Sequence, residues 1–126
     1  MSAKVIVKVD CGNAPNKLLL QDFKTAFVNQ DIDTLSIFVT DKVVWQIKGG
    51  QKIEGFEAFK QFLKDIDKAK VSELELHHII THGNSCAMNG TIKREDGSSY
   101  SFAEVYKLRG GKNPAIKEIT SYIIEG

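Results

Sequence analysis

The chain of 126 residues has no excess of charge of either sign, because 17 basic residues stand against 16 acidic ones. The resulting net charge of +1 provides no field that would steer the protein to nucleic acid or to an anionic membrane. No apolar run reaches the ~20 residues that span a bilayer. The first ten residues alternate charged and apolar side chains and do not form a secretory signal. These absences predict a protein with neither nucleic acid nor membrane as a partner.

Cysteine is also scarce, since Cys11 and Cys86 are the only two and lie far apart without metal-ligand spacing. Two lone cysteines without a signal predict a reducing, cytoplasmic setting. His78 and His82 resemble a metal pair, but on a strand of ~3.3 Å per residue they would be about 13 Å apart. The glycine pairs have no phosphate-loop spacing. We therefore predict no metal site and no cofactor.

Hydrophobic periodicity separates a helical first part of the chain from a strand-rich second part. Apolar residues recur with helical spacing over 16–29 and 56–66. Segments with strand character are 43–47, 71–81, 86–94, 99–109 and 115–124. This order predicts one α+β domain over residues 1–126, in which a curved antiparallel sheet wraps around N-terminal helices. Residues 1–12 fall outside the pattern and are expected to form an extra arm or an edge strand.

Alternation within the later strands assigns each side chain to one face of the sheet. The predicted inner faces are Leu74, Leu76, His78 and Ile80; Cys86, Met88, Gly90 and Ile92; and Tyr100, Phe102, Glu104, Tyr106 and Leu108. The outer face of the third of these strands carries Ser101, Ala103 and Val105, which are small or weakly apolar. Such a flat surface suits either a two-fold homodimer contact or a solvated sheet face.

Glu104 is the most informative residue, because it places a carboxylic acid in the middle of an apolar row. Carboxylates are seldom fully buried unless paired, and an apolar site disfavours their charged form. A functional interpretation is an acid of raised pKa that donates a proton or a hydrogen bond to a ligand. A structural interpretation is an acid bonded to Tyr122, to His78 or to a helix N-terminus. The sequence leaves both interpretations open.

The order of the elements resembles the nuclear transport factor 2-like superfamily, in its branch of SnoaL-like polyketide cyclases and ketosteroid isomerases. The matching segments are FVNQDID (27–33), FVTDKVVW (38–45), IEGFEAF (53–59), the hairpin 97–106 and the closing strand 116–122. The resemblance implies a conical, cystatin-like fold with an internal cavity, and frequently a homodimer. The isomerases place an aspartate base, a tyrosine and a protonated acid in that cavity.

Only one of these three isomerase groups has a counterpart in this chain. The protonated acid falls at Glu104, the tyrosine falls near Phe23, and the base falls near Trp45 or Gln46. Phe23 has no hydroxyl group, and neither Trp45 nor Gln46 can abstract a proton. Ordinary ketosteroid isomerisation is therefore not expected.

Two functions follow as hypotheses. In the first, an apolar cavity binds a small apolar or aromatic ligand, with cofactor-free isomerase, cyclase, dehydratase or hydrolase chemistry if it is catalytic. Glu104 would then be the acid and His78 the base. The remaining expected ligand contacts are Trp45, Gln46, Phe23, Tyr106, Tyr122 and Met88. In the second, the chain is a non-catalytic, dimeric binding or interaction module whose cavity is residual or filled by side chains.

Overall fold

The computed structural model describes residues 3–8, 15–65 and 70–126. The helices are α1 (Pro15–Val28), α2 (Ile32–Phe38) and α3 (Phe56–Asp65). The strands are β1 (Lys4–Val7), β2 (Val39–Ile47), β3 (Lys52–Glu54), β4 (Val71–His82), β5 (Ser85–Arg94), β6 (Ser99–Arg109) and β7 (Ala115–Glu125). This arrangement confirms the predicted α+β class. None of the described helices is long and apolar enough to cross a membrane.

The seven strands form one open sheet in the order β1-β4-β5-β6-β7-β2-β3. Strands β4 to β7 make the predicted antiparallel meander, whereas β2 runs parallel to β7 and β1 runs parallel to β4. The short strand β3, which periodicity did not predict, pairs antiparallel with β2 at one edge. Residues 4–7 occupy the opposite edge as β1, while residues 1, 2 and 9–12 of the predicted arm lie outside the described residues.

The helices cover the inner face of the sheet because each presents an apolar stripe to it. Helix α1 buries Leu20, Phe23 and Ala26, which recur at helical spacing, and α3 buries Phe59 and Leu63. Asp31 caps α2, since its side chain accepts a hydrogen bond from the Thr34 backbone N–H at 3.3 Å. The helices and the sheet enclose one continuous hydrophobic core.

The predicted inner faces of β5 and β6 are confirmed, but that of β4 is wrong after Leu76. A β-bulge lies between Leu76 and His78, so the alternation changes phase. Ile79 therefore points into the core, while His78 and Ile80 lie on the outer face and are exposed. A single inserted residue reverses every later side chain of a strand, which is why simple alternation misplaced these two.

Gly90 permits the close approach of β4 and β5 beside this bulge. It pairs with Leu76, the last residue before the alternation changes. A Cβ atom at Gly90 would lie 2.2 Å from the Glu75 carbonyl oxygen and 3.2 Å from the Phe102 ring. Only glycine fits so close a backbone approach without displacing the neighbouring strand.

Candidate functional site

The inner face of the sheet and α1 together bring a lysine to Glu104. Glu104 is 3% exposed on β6, and Lys24 of α1 is 1% exposed. The Lys24 Nζ lies 2.9 Å from Glu104 Oε1, which makes a buried ion pair between residues 80 positions apart. The sequence interpretation named Tyr122, His78 or a helix N-terminus as partners of Glu104, and that assignment was wrong.

Strand register supplies the other partners of the carboxylate. Ser121 stands directly opposite Glu104 on β7, and its Oγ donates to Glu104 Oε2 at 2.6 Å. Tyr106 follows Glu104 on the same face of β6, and its hydroxyl donates to Oε1 at 2.5 Å. The Trp45 indole N–H donates to Ser121 Oγ at 2.8 Å. We call these five residues, Lys24, Trp45, Glu104, Tyr106 and Ser121, the Glu104 cluster.

Among the described residues, the Lys24 ammonium donates to one oxygen, Glu104 Oε1, and otherwise faces aromatic rings. Its Nζ lies 4.1 Å from the centroid of the Phe27 ring and 4.3 Å from that of the Phe102 ring. Both distances lie within the range of cation–π attraction, which partly compensates a desolvated ammonium. No buried side-chain nitrogen or oxygen in the described ranges lacks a hydrogen-bond partner. The cluster is therefore a group of polar side chains whose buried nitrogen and oxygen atoms are all hydrogen-bonded, surrounded by an aromatic core.

The electrostatics make Glu104 a carboxylate rather than a neutral acid. Burial raises the pKa of the Glu104 carboxyl, but the Lys24 ammonium and the hydrogen bonds from Ser121 and Tyr106 lower it by more. The net pKa lies below the ordinary value, so the expected raised pKa is corrected to a lowered one. For Tyr106, burial and the neighbouring negative charge raise the phenol pKa well above its usual value. Its hydroxyl therefore remains a donor.

Aromatic side chains form the wall around the cluster. Trp45 contacts Phe27, Phe59 and Phe62 with ring centroids 5.5, 5.1 and 5.4 Å away. Phe23 packs edge-on against Tyr106 at 6.0 Å. The structure thus brings together four predicted ligand contacts in the core around Glu104. These four are Phe23, Trp45, Met88 and Tyr106.

Three other predicted site residues lie elsewhere. Gln46 is on the opposite face of β2 from Trp45, and its amide donates to the Ile47 and Gln51 carbonyl oxygens at 3.2 and 3.4 Å. Tyr122 was expected to contact a ligand inside, but it follows Ser121 on β7 and so points outward, 48% exposed. His78 also faces outward because of the bulge, and its Nδ1 lies 3.0 Å from Asn89 Oδ1. These placements separate His78 and Tyr122 from the Glu104 carboxylate.

His78 and Tyr122 instead line a depression on the outer face of the sheet. The depression measures about 300 Å³ and also includes Ile80, Asn89 and Val105. Its wall is mostly apolar, with the His78 and Asn89 side chains as a polar corner. We call it the outer-face depression. It is open to solvent in a single chain.

Sequence reasoning missed Lys24 and Ser121, although a signal existed for each. Lys24 follows Leu20 by four positions and precedes Phe27 by three, which places its side chain on the apolar stripe of α1. Ser121 alternates in phase with the buried Ile119. Neither a lysine nor a serine stands out in an alternating or helical pattern, so only the distance across the core reveals their role.

The described residues contain no group of three or more His, Cys, Asp or Glu side chains that could hold a metal ion. What the cluster offers chemically is hydrogen bonding. Lys24 and Tyr106 are donors, and the Glu104 carboxylate orders them by accepting from both. Cys86, one of the two cysteines of the sequence, is buried as predicted, and burial raises the pKa of its thiol.

The fold and the sequence together define the class of this protein. The family model described as the SnoaL-like domain matches residues 20–113, and the chain belongs to that family. The resemblance to the nuclear transport factor 2-like superfamily is thereby confirmed. A comparison with curated proteins found no match.

Solved structures support the same fold at low sequence identity. A candidate SnoaL-like polyketide cyclase from Shewanella denitrificans is 17% identical, with a TM-score of 0.73 over 87% of this chain and 91% of that one. An NTF2-like protein of unknown function from Burkholderia xenovorans is 19% identical, with a TM-score of 0.73 over 91% and 88%. An LEH-like epoxide hydrolase from M. tuberculosis is 19% identical, with a TM-score of 0.70 over 85% and 80%. At these identities the similarity establishes the fold alone.

Proposed function

We propose that this SnoaL-like protein binds a small, largely apolar molecule between α1 and the inner face of the sheet, with the Glu104 cluster as the polar end of the site. The observation that carries the proposal is the buried pair of Lys24 and Glu104 at 2.9 Å. Burying two charges costs several kcal/mol per ion, and apolar residues of similar volume often serve stability as well or better. A retained charged pair among aromatic rings is therefore a candidate functional feature.

The chemistry of the cluster favours binding over acid catalysis. An ionised Glu104 cannot donate a proton, and its lowered pKa makes it a weak base. Lys24, Glu104 and Ser121 are the buried polar or charged residues of the described core, so no imidazole or second carboxylate is buried beside them. Lys24 can still donate a hydrogen bond to a ligand oxygen, whereas the single O–H of Tyr106 is already donated to Glu104. The aromatic wall around Trp45 would contact its apolar body.

The test is a binding titration followed through Trp45, the only tryptophan of the chain. Neutral aromatic ketones and alcohols are expected to quench its fluorescence saturably, with one molecule bound per chain. Tyr106→Phe keeps the ring but removes the hydroxyl that shares Glu104 Oε1 with Lys24. Glu104 should then hold the ammonium more tightly, and binding should weaken about tenfold, the scale of one buried hydrogen bond. Tyr122→Phe is the matched control, because it makes the same change at a tyrosine that is 48% exposed on the outer face. Absence of saturable binding across the panel would contradict the proposal.

The outer face supports a second proposal, that two copies of the chain form a homodimer through β4, β6 and β7. Ile80, Val105 and Tyr122 are 62%, 44% and 48% exposed on this one face. Soluble monomers rarely leave a contiguous apolar patch uncovered, and a two-fold contact covers the same patch on both copies. The outer-face depression, lined by these three residues, would then lie within the interface.

Light scattering after size exclusion tests the dimer directly. The wild-type protein is expected at twice the mass of the 14.0 kDa chain. Val105→Glu places a charge at the centre of the face and should yield monomers. Ile37→Glu is the control, because Ile37 is 71% exposed on α2, away from this face, and should leave the dimer intact. A wild-type monomer at micromolar concentration would contradict this second proposal.

A further inference from the structure

His78 lies in the middle of the apolar outer face, and its imidazole has a neutral partner. Its Nδ1 lies 3.0 Å from Asn89 Oδ1, and both side chains line the outer-face depression. Strand register across β4, β5, β6 and β7 forms two adjacent rows on this face, one of His78, Asn89, Ala103 and Tyr122 and one of Ile80, Ala87, Val105 and Thr120. Within these two rows, His78 is the one side chain whose charge changes near neutral pH.

The charged and titratable groups of the surrounding strands lie outside these two rows. On the outer face they are Lys4 and Lys8 along β1, Glu73, Glu75, His77 and His82 on β4, Lys93 on β5, Lys107 and Arg109 on β6, and Lys117 and Glu118 on β7. His77 differs from His78 because it has a carboxylate partner, with its Nε2 2.8 Å from Glu75 Oε1. The Glu104 carboxylate points inward to Lys24. A protonated His78 therefore meets no carboxylate within the two rows.

We infer that His78 makes the homodimer dissociate as the pH falls, because its imidazole enters the interface only in the neutral form. This inference rests on the homodimer proposed above. A two-fold contact brings the same two rows of the second copy onto this face, and these rows carry no carboxylate. A protonated imidazole in that contact would lose its hydration without gaining a counter-charge, which disfavours the charged form. In a separate chain His78 is exposed and takes up its proton in water.

The direction of the pH dependence follows from this difference in proton binding. The dimer holds its full affinity above the range in which histidine ordinarily titrates, and it loses affinity as the pH falls through that range. Each dimer contains two copies of His78, so dissociation takes up two protons. Between about pH 7.5 and about pH 5.5, the dissociation constant should rise roughly 100-fold, about tenfold for each His78.

Analytical ultracentrifugation of the whole chain over a concentration series at these two pH values measures the dissociation constant. Far-UV circular dichroism of the same samples should be unchanged, because the expected product is a folded monomer. A dissociation constant that differs by less than about threefold would overturn the inference and leave the homodimer standing. Dissociation accompanied by loss of the circular dichroism signal would also overturn it. A wild-type monomer at both pH values would refute the proposed homodimer itself.

Single substitutions of the three histidines assign the effect to one residue. His78→Gln keeps a polar partner for Asn89 but cannot take up a proton, and its dimer should persist at the lower pH. His77→Gln and His82→Gln are the matched controls, because they remove an imidazole from the same strand outside the two rows, and they should retain the wild-type pH dependence. If His78→Gln dissociates with pH as the wild type does, the inference is overturned.

Asn89→Asp tests the missing counter-charge from the opposite side. It places a carboxylate where the amide oxygen lies 3.0 Å from His78 Nδ1, so a protonated imidazole would be paired within the interface. Its dimer is expected to lose less than about tenfold in affinity over the same pH range, against roughly 100-fold for the wild type. A pH dependence equal to that of the wild type would show that desolvation of an unpaired His78 is not the cause, and would overturn the inference.

Discussion

Replacing Lys24 by methionine should destabilise this protein severely, because it leaves the buried Glu104 carboxylate without its counter-charge. Methionine keeps an unbranched side chain only one atom shorter, but removes the ammonium that lies 2.9 Å from Glu104 Oε1. Breaking a buried ion pair from one side costs roughly 3–5 kcal/mol. For a domain of this size we expect the Tm to fall by roughly 10–20 °C.

The assay is urea unfolding at pH 7 with a thermal scan, and it needs two matched variants. Lys52→Met removes the same charge from an exposed pair, whose Lys52 Nζ lies 3.7 Å from Glu54 Oε1. Such a pair contributes no more than about 1 kcal/mol, so the change in the free energy of unfolding should be small. The double variant Lys24→Met/Glu104→Gln removes both buried charges and should recover most of the lost stability.

The double variant also decides whether the reasoning is right. If Lys24 contributes through packing on the aromatic rings rather than through charge, the double variant will be as unstable as Lys24→Met alone. A loss below about 1 kcal/mol for Lys24→Met would refute the reasoning more directly. It would mean that Glu104 is protonated or hydrated in the folded protein, with a pKa that is not lowered.

Two further predictions concern pH and the bulge in β4. The folded pKa of Glu104 is lowered, so its contribution to stability is fully present above the unfolded pKa of ~4.3 and is lost as the pH falls below it. The urea midpoint of the wild type should therefore fall more steeply between about pH 5 and pH 3 than that of Lys24→Met/Glu104→Gln. Parallel curves for the two proteins would refute this prediction. Gly90→Ala should cost about 1–3 kcal/mol or more, because its Cβ would lie 2.2 Å from the Glu75 carbonyl oxygen. Gly50→Ala is the control, since its nearest contact is an ordinary 3.5 Å to Ile47, and equal unfolding midpoints for the two variants would contradict the argument.

Local pattern predicted much of the architecture because periodicity reports which face of an element is buried. Alternation placed Met88, Glu104 and Tyr106 on the inner face of the sheet, and the structure confirms that placement. It failed at His78 because a bulge is a property of two paired strands. The cause of that bulge has no signature within β4 itself. Its clearest sign lies on the partner strand, where Gly90 has no Cβ to oppose the Glu75 carbonyl.

The partner of Glu104 could not be predicted for a different reason. Lys24 and Glu104 are 80 positions apart, and nothing local to either residue refers to the other. Sequence pattern identified a carboxylic acid in an apolar row, which restricts it to a neutral or a paired state. Choosing between those states required the distance from α1 to β6. The 2.9 Å between Lys24 Nζ and Glu104 Oε1 shows that Glu104 is an ionised hydrogen-bond acceptor rather than a proton donor.

The sequence by itself determined the class of fold, the covering of one sheet face by helices and the burial of an acid, because these follow from periodicity along the chain. Tertiary structure alone decided the ionisation of that acid and the outward direction of His78. The state of a buried charge depends on groups brought within about 3 Å from distant elements, since electrostatic and hydrogen-bond energies are set by separation in space rather than along the sequence.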